Sequence, residues 1–199
     1  MPNKTRVTQT LLSAYRYIYE TENGWDSFLK TLNRIKEPPT QAMLNGVKFE
    51  GMINSALDGY DIPPNHEWYK VVTECADMLK GSQQQVTLFR DVWIDGEPIL
   101  LHGVLDFLKA GIIYDTKFSA TYHRGKYLNS PQTSMYFRLV PEAYRFTYVV
   151  SDGKYVYTES YEPDEVQPIE KNIAEFLDFL KRNDLYEIYA EKWRVNNVF

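Results

Sequence analysis

The sequence predicts a mixed α/β layer architecture, and three observations predict it. Residues 1–82 place apolar side chains at helical spacing. Residues 83–160 switch to short runs rich in Val, Ile, Leu, Tyr and Phe, broken by Asp-Gly and Ser-Asp-Gly turns and by one helix. Residues 161–199 return to helical spacing. Helices, a three-strand meander, a helix, two strands and helices again suit a mixed central sheet flanked by helices, not a regular βαβ repeat.

The elements follow in order. Thr8 to Glu20 carries Leu11, Leu12, Tyr15, Ile18 and Tyr19 on one stripe, with a Thr at its start. Trp25, Phe28, Leu29, Leu32 and Ile35 form a second stripe, stopped by Pro38-Pro39. Thr40 caps a third helix, with Met43, Val47, Met52 and Leu57 among its apolar positions, and Asn65 to Leu79 makes a fourth. Val86–Ile94 and Pro98–Leu105 read as strands joined at Asp95-Gly96. A turn at Leu108–Gly111 leads to a third strand through Phe118. Asn129 to Val140 is a helix, with Ser130 as N-cap and Pro131 at its first position. Tyr144–Val150 and Lys154–Glu159 form a hairpin, and Glu165–Lys181 and Asp184–Trp193 are the closing helices.

The 199 residues suit one domain, and 44% hydrophobic with 15% aromatic content excludes a disordered chain. No run approaches the roughly 20 apolar residues of a membrane-spanning helix. The N-terminus lacks the pattern of a secretory signal, so a cytoplasmic setting without membrane association is expected. The single cysteine, Cys75, excludes an intramolecular disulfide and a cysteine-held zinc or iron–sulfur site. A net charge of −5 argues against a broad basic coat for nucleic acid and leaves one local groove open.

The chemistry-bearing segment is Gly103-Val-Leu-Asp106, followed after eight residues by Asp115-Thr-Lys117. With the turn at Leu108–Gly111, position 107 faces 112, so 104, 106, 113, 115 and 117 share one face and Asp106 stands diagonal to Asp115. Two carboxylates on rigid strands can hold Mg²⁺ or Mn²⁺ while leaving room for water and phosphate. Lys117, two residues beyond Asp115, can orient that water or offset developing charge. The plain alternative is that Asp106 opens a turn and Lys117 neutralises Asp115. Between Lys117 and Tyr127, His123, Arg124 and Lys126 mingle with Tyr122, a mixture suited to phosphate contact and aromatic packing, though also to an ordinary surface loop. His66, His102 and Cys75 read as structural.

These stretches resemble the PD-(D/E)XK nuclease superfamily, in particular its RecB-like and lambda-exonuclease-like branches. Gly46-Val-Lys-Phe-Glu50, Gly103-Val-Leu-Asp106, Asp115-Thr-Lys117 and Gln132-Thr-Ser-Met-Tyr136 stand in the order of that group's motifs, across positions 46–136. The resemblance implies a restriction-endonuclease-like core. It implies metal ligation by Asp106, Asp115, the Thr116 carbonyl and Glu50, with Lys117 as the catalytic lysine. Gln132 and Tyr136, one helical turn apart, would line the site and help position DNA. Many RecB-like members have a His where Phe49-Glu50 stands, some have four cysteines for an iron–sulfur cluster, and no helicase motif accompanies this chain.

What the resemblance implies is a Mg²⁺- or Mn²⁺-dependent deoxyribonuclease. The expected form is an exonuclease on DNA ends, of the phage and mobile-element kind. It would act alone or with a separate recombination or annealing protein. Two other readings stand beside it: a catalytically silent nuclease fold that binds DNA or protein, and a helical structural protein with incidental carboxylates.

Overall fold

The structure is a computed structural model and describes residues 4–195; the ends of the 1–82 and 161–199 stretches lie outside the described residues. Strand β1 (Thr5–Thr8) runs directly into helix α1 (Gln9–Tyr17), followed by α2 (Gly24–Leu32), α3 (Gln41–Leu57) and α4 (Tyr69–Leu79). Then come β2 (Gln83–Ile94), β3 (Glu97–Lys109), β4 (Ile112–Phe118), α5 (Pro131–Leu139), β5 (Arg145–Ser151) and β6 (Val156–Tyr161). Helices α6 (Ile169–Arg182) and α7 (Tyr186–Lys192) complete the described chain. This is the mixed α/β architecture the sequence predicts, with helices on both faces of a six-stranded sheet.

Caps expected from single residues are in place. Thr40 Oγ1 accepts from Met43 N, and Ser130 Oγ accepts from Gln132 N with Pro131 behind it. Each satisfies a first-turn amide that no helix carbonyl can reach.

Strand β3 organises the sheet. Glu97 to Leu108 pairs antiparallel with β2 on one edge, with the ladder broken at Asp106 and Gln85. Its other edge is shared: Ile99–His102 pairs parallel with β1, and Phe107–Lys109 pairs antiparallel with β4. Gly103 to Asp106 therefore has no strand partner on that edge. Beyond β4 the order continues to β5, parallel to β4, and β6, antiparallel to β5. The interior strand β5 is buried on both sides: Phe146, Tyr148 and Val150 join one core, and Val149 joins the other. The first core gathers α1, α2, α5, α6 and α7 through Leu11, Phe28, Met135, Phe176 and Tyr189. The second packs α3 and α4 through Phe49, Ile53, Val72 and Cys75. Phe28, Phe176 and Tyr189 are core, packed edge-on against one another, whereas Tyr17 and Tyr19 at the end of the first helix are exposed.

Four expectations need correction. The β3–β4 turn is the two-residue Ala110-Gly111, both with positive φ (49° and 77°), and not the four residues Leu108–Gly111. This moves the register by two, so Phe107 faces Tyr114; side-chain parity survives, and Asp106 falls opposite Asp115 instead of diagonal to it. Helix α6 starts at Ile169 and not at Glu165, because Pro168 excludes the helical region for the residue before it. Helix α4 starts at Tyr69 and not at Asn65, since His66 Nδ1 accepts from Trp68 N and closes a turn there. Finally, β1 is a strand that its local pattern hides; pairing with β3 and backbone bonds Arg6 N to Trp193 O and Val195 N to Lys4 O create it.

Candidate active site

Strand β4 lies between β3 and β5 and delivers Asp115, which is 1% exposed. A carboxylate so placed is costly to bury unless it is bonded or paired. Gln132 Nε2, from the first turn of α5, donates to Asp115 Oδ1 at 2.5 Å. Lys117 Nζ lies 2.6 Å from Asp115 Oδ2, an ion pair along one face of β4. That ammonium is the one charged partner of the buried Oδ2 among the described residues.

Asp106 stands where β3 and β4 part. Its Oδ2 accepts from Thr116 N at 3.0 Å and Thr116 Oγ1 at 3.4 Å, spanning the gap beyond the last paired residues. Burial, then the charges of Asp115 and Glu50, hold the Asp106 carboxyl well above the usual carboxylate range. Glu50, on the middle of α3, is raised too, by burial first; a hydrogen bond from Gln85 Nε2 at 2.7 Å opposes this and Asp115 reinforces it. Burial works against the Lys117 ammonium, yet Asp115 and Asp106 outweigh it and hold Lys117 above its ordinary range. Asp106, Asp115, Glu50 and Lys117 thus share one electrostatic environment, with one cation against three carboxylates. Among the described residues no three His, Cys, Asp or Glu side chains converge into a ready-made metal cage.

The supports are as specific as the charges. Tyr136 donates its hydroxyl to Val104 O at 2.7 Å, fixing the unpaired stretch of β3. A Cβ on Gly103 would lie 2.7 Å from Leu139 Cδ1 and 2.8 Å from Tyr136 Cε1, so only glycine lets α5 lie this close. Gln132 and Tyr136 are each 5% exposed, which makes them props for Asp115 and β3 in place of surface contacts.

Gln85 was not singled out by the sequence. It stands across from Asp106 on β2, holds Glu50, and has φ of 51°, a conformation non-glycine residues seldom adopt. Within Gln83-Gln84-Gln85 nothing in the sequence marks it. Glu159 was missed as well. It is 7% exposed and accepts from Tyr122 Oη (2.8 Å), Gly125 N (3.0 Å), Tyr127 N (3.3 Å) and Tyr161 Oη. It staples the loop between β4 and α5, in which Tyr127 stacks on Tyr148 at 4.5 Å, and Tyr148 faces Lys117 at 5.9 Å. In that loop Lys126 Nζ is engaged by Ser119 Oγ and Thr121 O, whereas Arg124 is exposed and has no ion pair among the described residues.

Two prominent clefts, of about 460 and 470 Å³, are lined by residues other than Asp115 and Lys117.

No family model matches the chain, and no curated protein matches it in sequence. Among solved structures it is similar to the crystal structure of SSO0001, with a TM-score of 0.55 over 92% of this chain and 78% of that one, at 16% identity. At this identity the likeness speaks for the fold alone. Among the described residues no helix is long and apolar enough to cross a membrane.

Proposed function

We propose that this chain is a divalent-cation-dependent deoxyribonuclease of the PD-(D/E)XK type, acting on DNA ends. The observation that carries the reading is Asp115: a carboxylate 1% exposed, anchored through Oδ1 by Gln132 and paired through Oδ2 with Lys117, while the charges of Asp106 and Glu50 act on the same site. A structural buried carboxylate collects donors until it is satisfied. This one shares a single ammonium, Lys117, with two further carboxylates, which fits a site built to take a cation.

Asp106 and Asp115 would hold Mg²⁺ or Mn²⁺, with Glu50 and the Thr116 carbonyl completing the set. A bound cation supplies a water of lowered pKa and charge neutralisation at the phosphate. The chain's own groups do the rest. Gln132 fixes the Asp115 rotamer, and Thr116 N–H fixes Asp106. Lys117, held protonated by its carboxylate neighbours, offers a positive charge and proton donors to the oxygen that becomes more negative as the phosphodiester is attacked. The hydroxyl of Tyr148, pushed up to about 12 by burial and by Asp115, stays protonated beside it.

A second reading keeps a specific support: no three acidic or histidine side chains converge among the described residues, as a catalytically silent DNA- or protein-binding module would have it. One experiment separates them. Purified protein is incubated with linear and closed circular DNA in Mg²⁺, Mn²⁺ or EDTA, with Asp115→Asn and Lys117→Ala alongside. The nuclease reading predicts metal-dependent loss of the linear DNA, survival of the circle, and inert variants that still melt cooperatively. Equal inertness of wild type and variants with both metals would hand the account to the silent module.

A further inference from the structure

The unpaired stretch of β3 has two ends. Asp106 closes one. At the other, where β1 hands over to α1, His102, Gly103 and Val104 line a cleft of about 470 Å³ together with Arg6, Thr8, Gln9, Thr10, Arg34, Tyr136 and Trp193. On a chain of net charge −5, this cleft has two arginines and no acidic residue in its lining. We propose that it is a phosphate-binding subsite, which, on the nuclease reading, holds a phosphate of the DNA strand some way along from the cleavage point.

Three features fit this ligand. Arg6 Nε is buried and has no hydrogen-bond partner among the described residues, an expensive state for a guanidinium unless a ligand completes it. Arg34 follows α2 with φ of 59°; its exposed guanidinium lies 5.0 Å above the Trp193 ring with Nη1 donating to Lys192 O at 3.3 Å, which leaves its other N–H groups for a ligand, and Trp193 is in turn fixed by Nε1 donating to Leu32 O. Two forked guanidiniums match phosphate oxygens in a way that lysines do not. Third, Thr8, Gln9 and Thr10 bring the N-terminal end of α1, with its partial positive charge, to the same cleft.

His102 adds a neutral partner: burial, then Arg6, lowers its pKa, so it can offer one N–H without adding charge. Its ring is covered by Phe89, stacked at 4.5 Å, which leaves Phe89 as an exposed apolar lip. From His102 to Asp106 is four residues of strand, roughly 13 Å at 3.3 Å per residue. The carboxylates and the arginine-lined cleft therefore stand at the two ends of the same unpaired stretch of β3.

The ligand phosphate has two sources, a terminal phosphate or an internal phosphodiester, and the test separates them. Fluorescence anisotropy with short duplexes, with and without a 5′ phosphate, is measured in EDTA for wild type, Arg34→Ala, Arg6→Lys and Arg6→Gln/Arg34→Ala. Melting curves check the fold of each; Arg34 is exposed, so Arg34→Ala keeps the test alive where the double variant is unstable. The proposal predicts that Arg34→Ala and the double variant lose about tenfold or more in affinity, with a shallower salt dependence. A loss seen only with the phosphorylated duplex assigns the subsite to a strand end, and an equal loss with both assigns it to the backbone. Wild-type affinity and salt slope in the folded variants overturn the proposal, as does wild type that binds neither duplex. Cleavage is scored separately: DNA binding that depends on Arg34 in a protein inert with both metals supports this subsite while sinking the nuclease reading.

Discussion

Two buried carboxylates on neighbouring regions of one sheet behave in opposite ways. Glu159 on β6 is 7% exposed and accepts from four donors, all neutral, none of them a cation. Burial works to raise its pKa, but bonds from Tyr161, Tyr122, Gly125 and Tyr127 outweigh it, and the carboxyl ends below the usual range. Asp115 on β4 is buried more deeply, pairs its Oδ2 with Lys117, and has Asp106 and Glu50 as electrostatic neighbours. One carboxylate is satisfied and serves the loop it staples. The other has one ammonium, Lys117, which it shares with two further carboxylates. Burial alone does not distinguish structure from function; the completeness of the hydrogen bonding does.

The largest expected effect sharpens the functional side. Asp115→Asn and Lys117→Ala each lower DNA cleavage by roughly 10²–10³-fold or more, measured as initial rates with saturating DNA and Mn²⁺. Rates within tenfold of wild type for both would break the comparison at its more important end. On the structural side, Glu159→Ala leaves two hydroxyls and two amides without their acceptor and costs about 3 kcal/mol. In a chain of this size that is a fall in Tm of roughly 6–12 °C. Cleavage per folded molecule should change much less, and an unchanged Tm would show that Glu159 is no staple.

Gly103→Ala puts a methyl against Leu139 and Tyr136 and costs about 1–3 kcal/mol by urea titration. Because Tyr136 also fixes Val104, cleavage falls with it; a neutral substitution would mean that α5 moves aside freely. The smallest effect carries the opposite sign. Asp106→Asn removes one of the repelling charges and raises Tm by roughly 2–4 °C without cations, while abolishing cleavage. The folded chain binds the Asp106 proton more tightly than the unfolded chain does. Wild type without cations therefore loses stability as pH rises from the ordinary carboxylate range through the elevated range of Asp106. Melting curves across that range should show the slope in wild type and a smaller one in the variant.

Local chemistry made much of this readable. Thr40 and Ser130 announce their helices, Asp95-Gly96 its hairpin, and the runs of Val, Ile, Leu, Tyr and Phe their strands, because each acts on residues a few positions away. The register at Ala110-Gly111 was harder, since an alanine with positive φ gives no signal that the turn holds two residues instead of four. Strand β1 was hidden because its partner lies more than 90 residues further on. Gln85 and Glu159 were invisible for the same reason: a glutamine bonded to Glu50 on a distant helix, and a carboxylate with three of its four donors more than 30 residues away, differ in nothing local from solvated ones.

The most direct test of the central claim is a cation titration followed by melting. If Asp106, Asp115 and Glu50 form a cation site, Mn²⁺ stabilises the folded chain by mass action, about 2.7 kcal/mol at a hundred times the Kd. The account predicts a saturable rise in the Tm of wild type that disappears in Asp106→Asn and Asp115→Asn and is unaffected by Arg34→Ala. No rise in wild type, or the same rise in all four proteins, would contradict it.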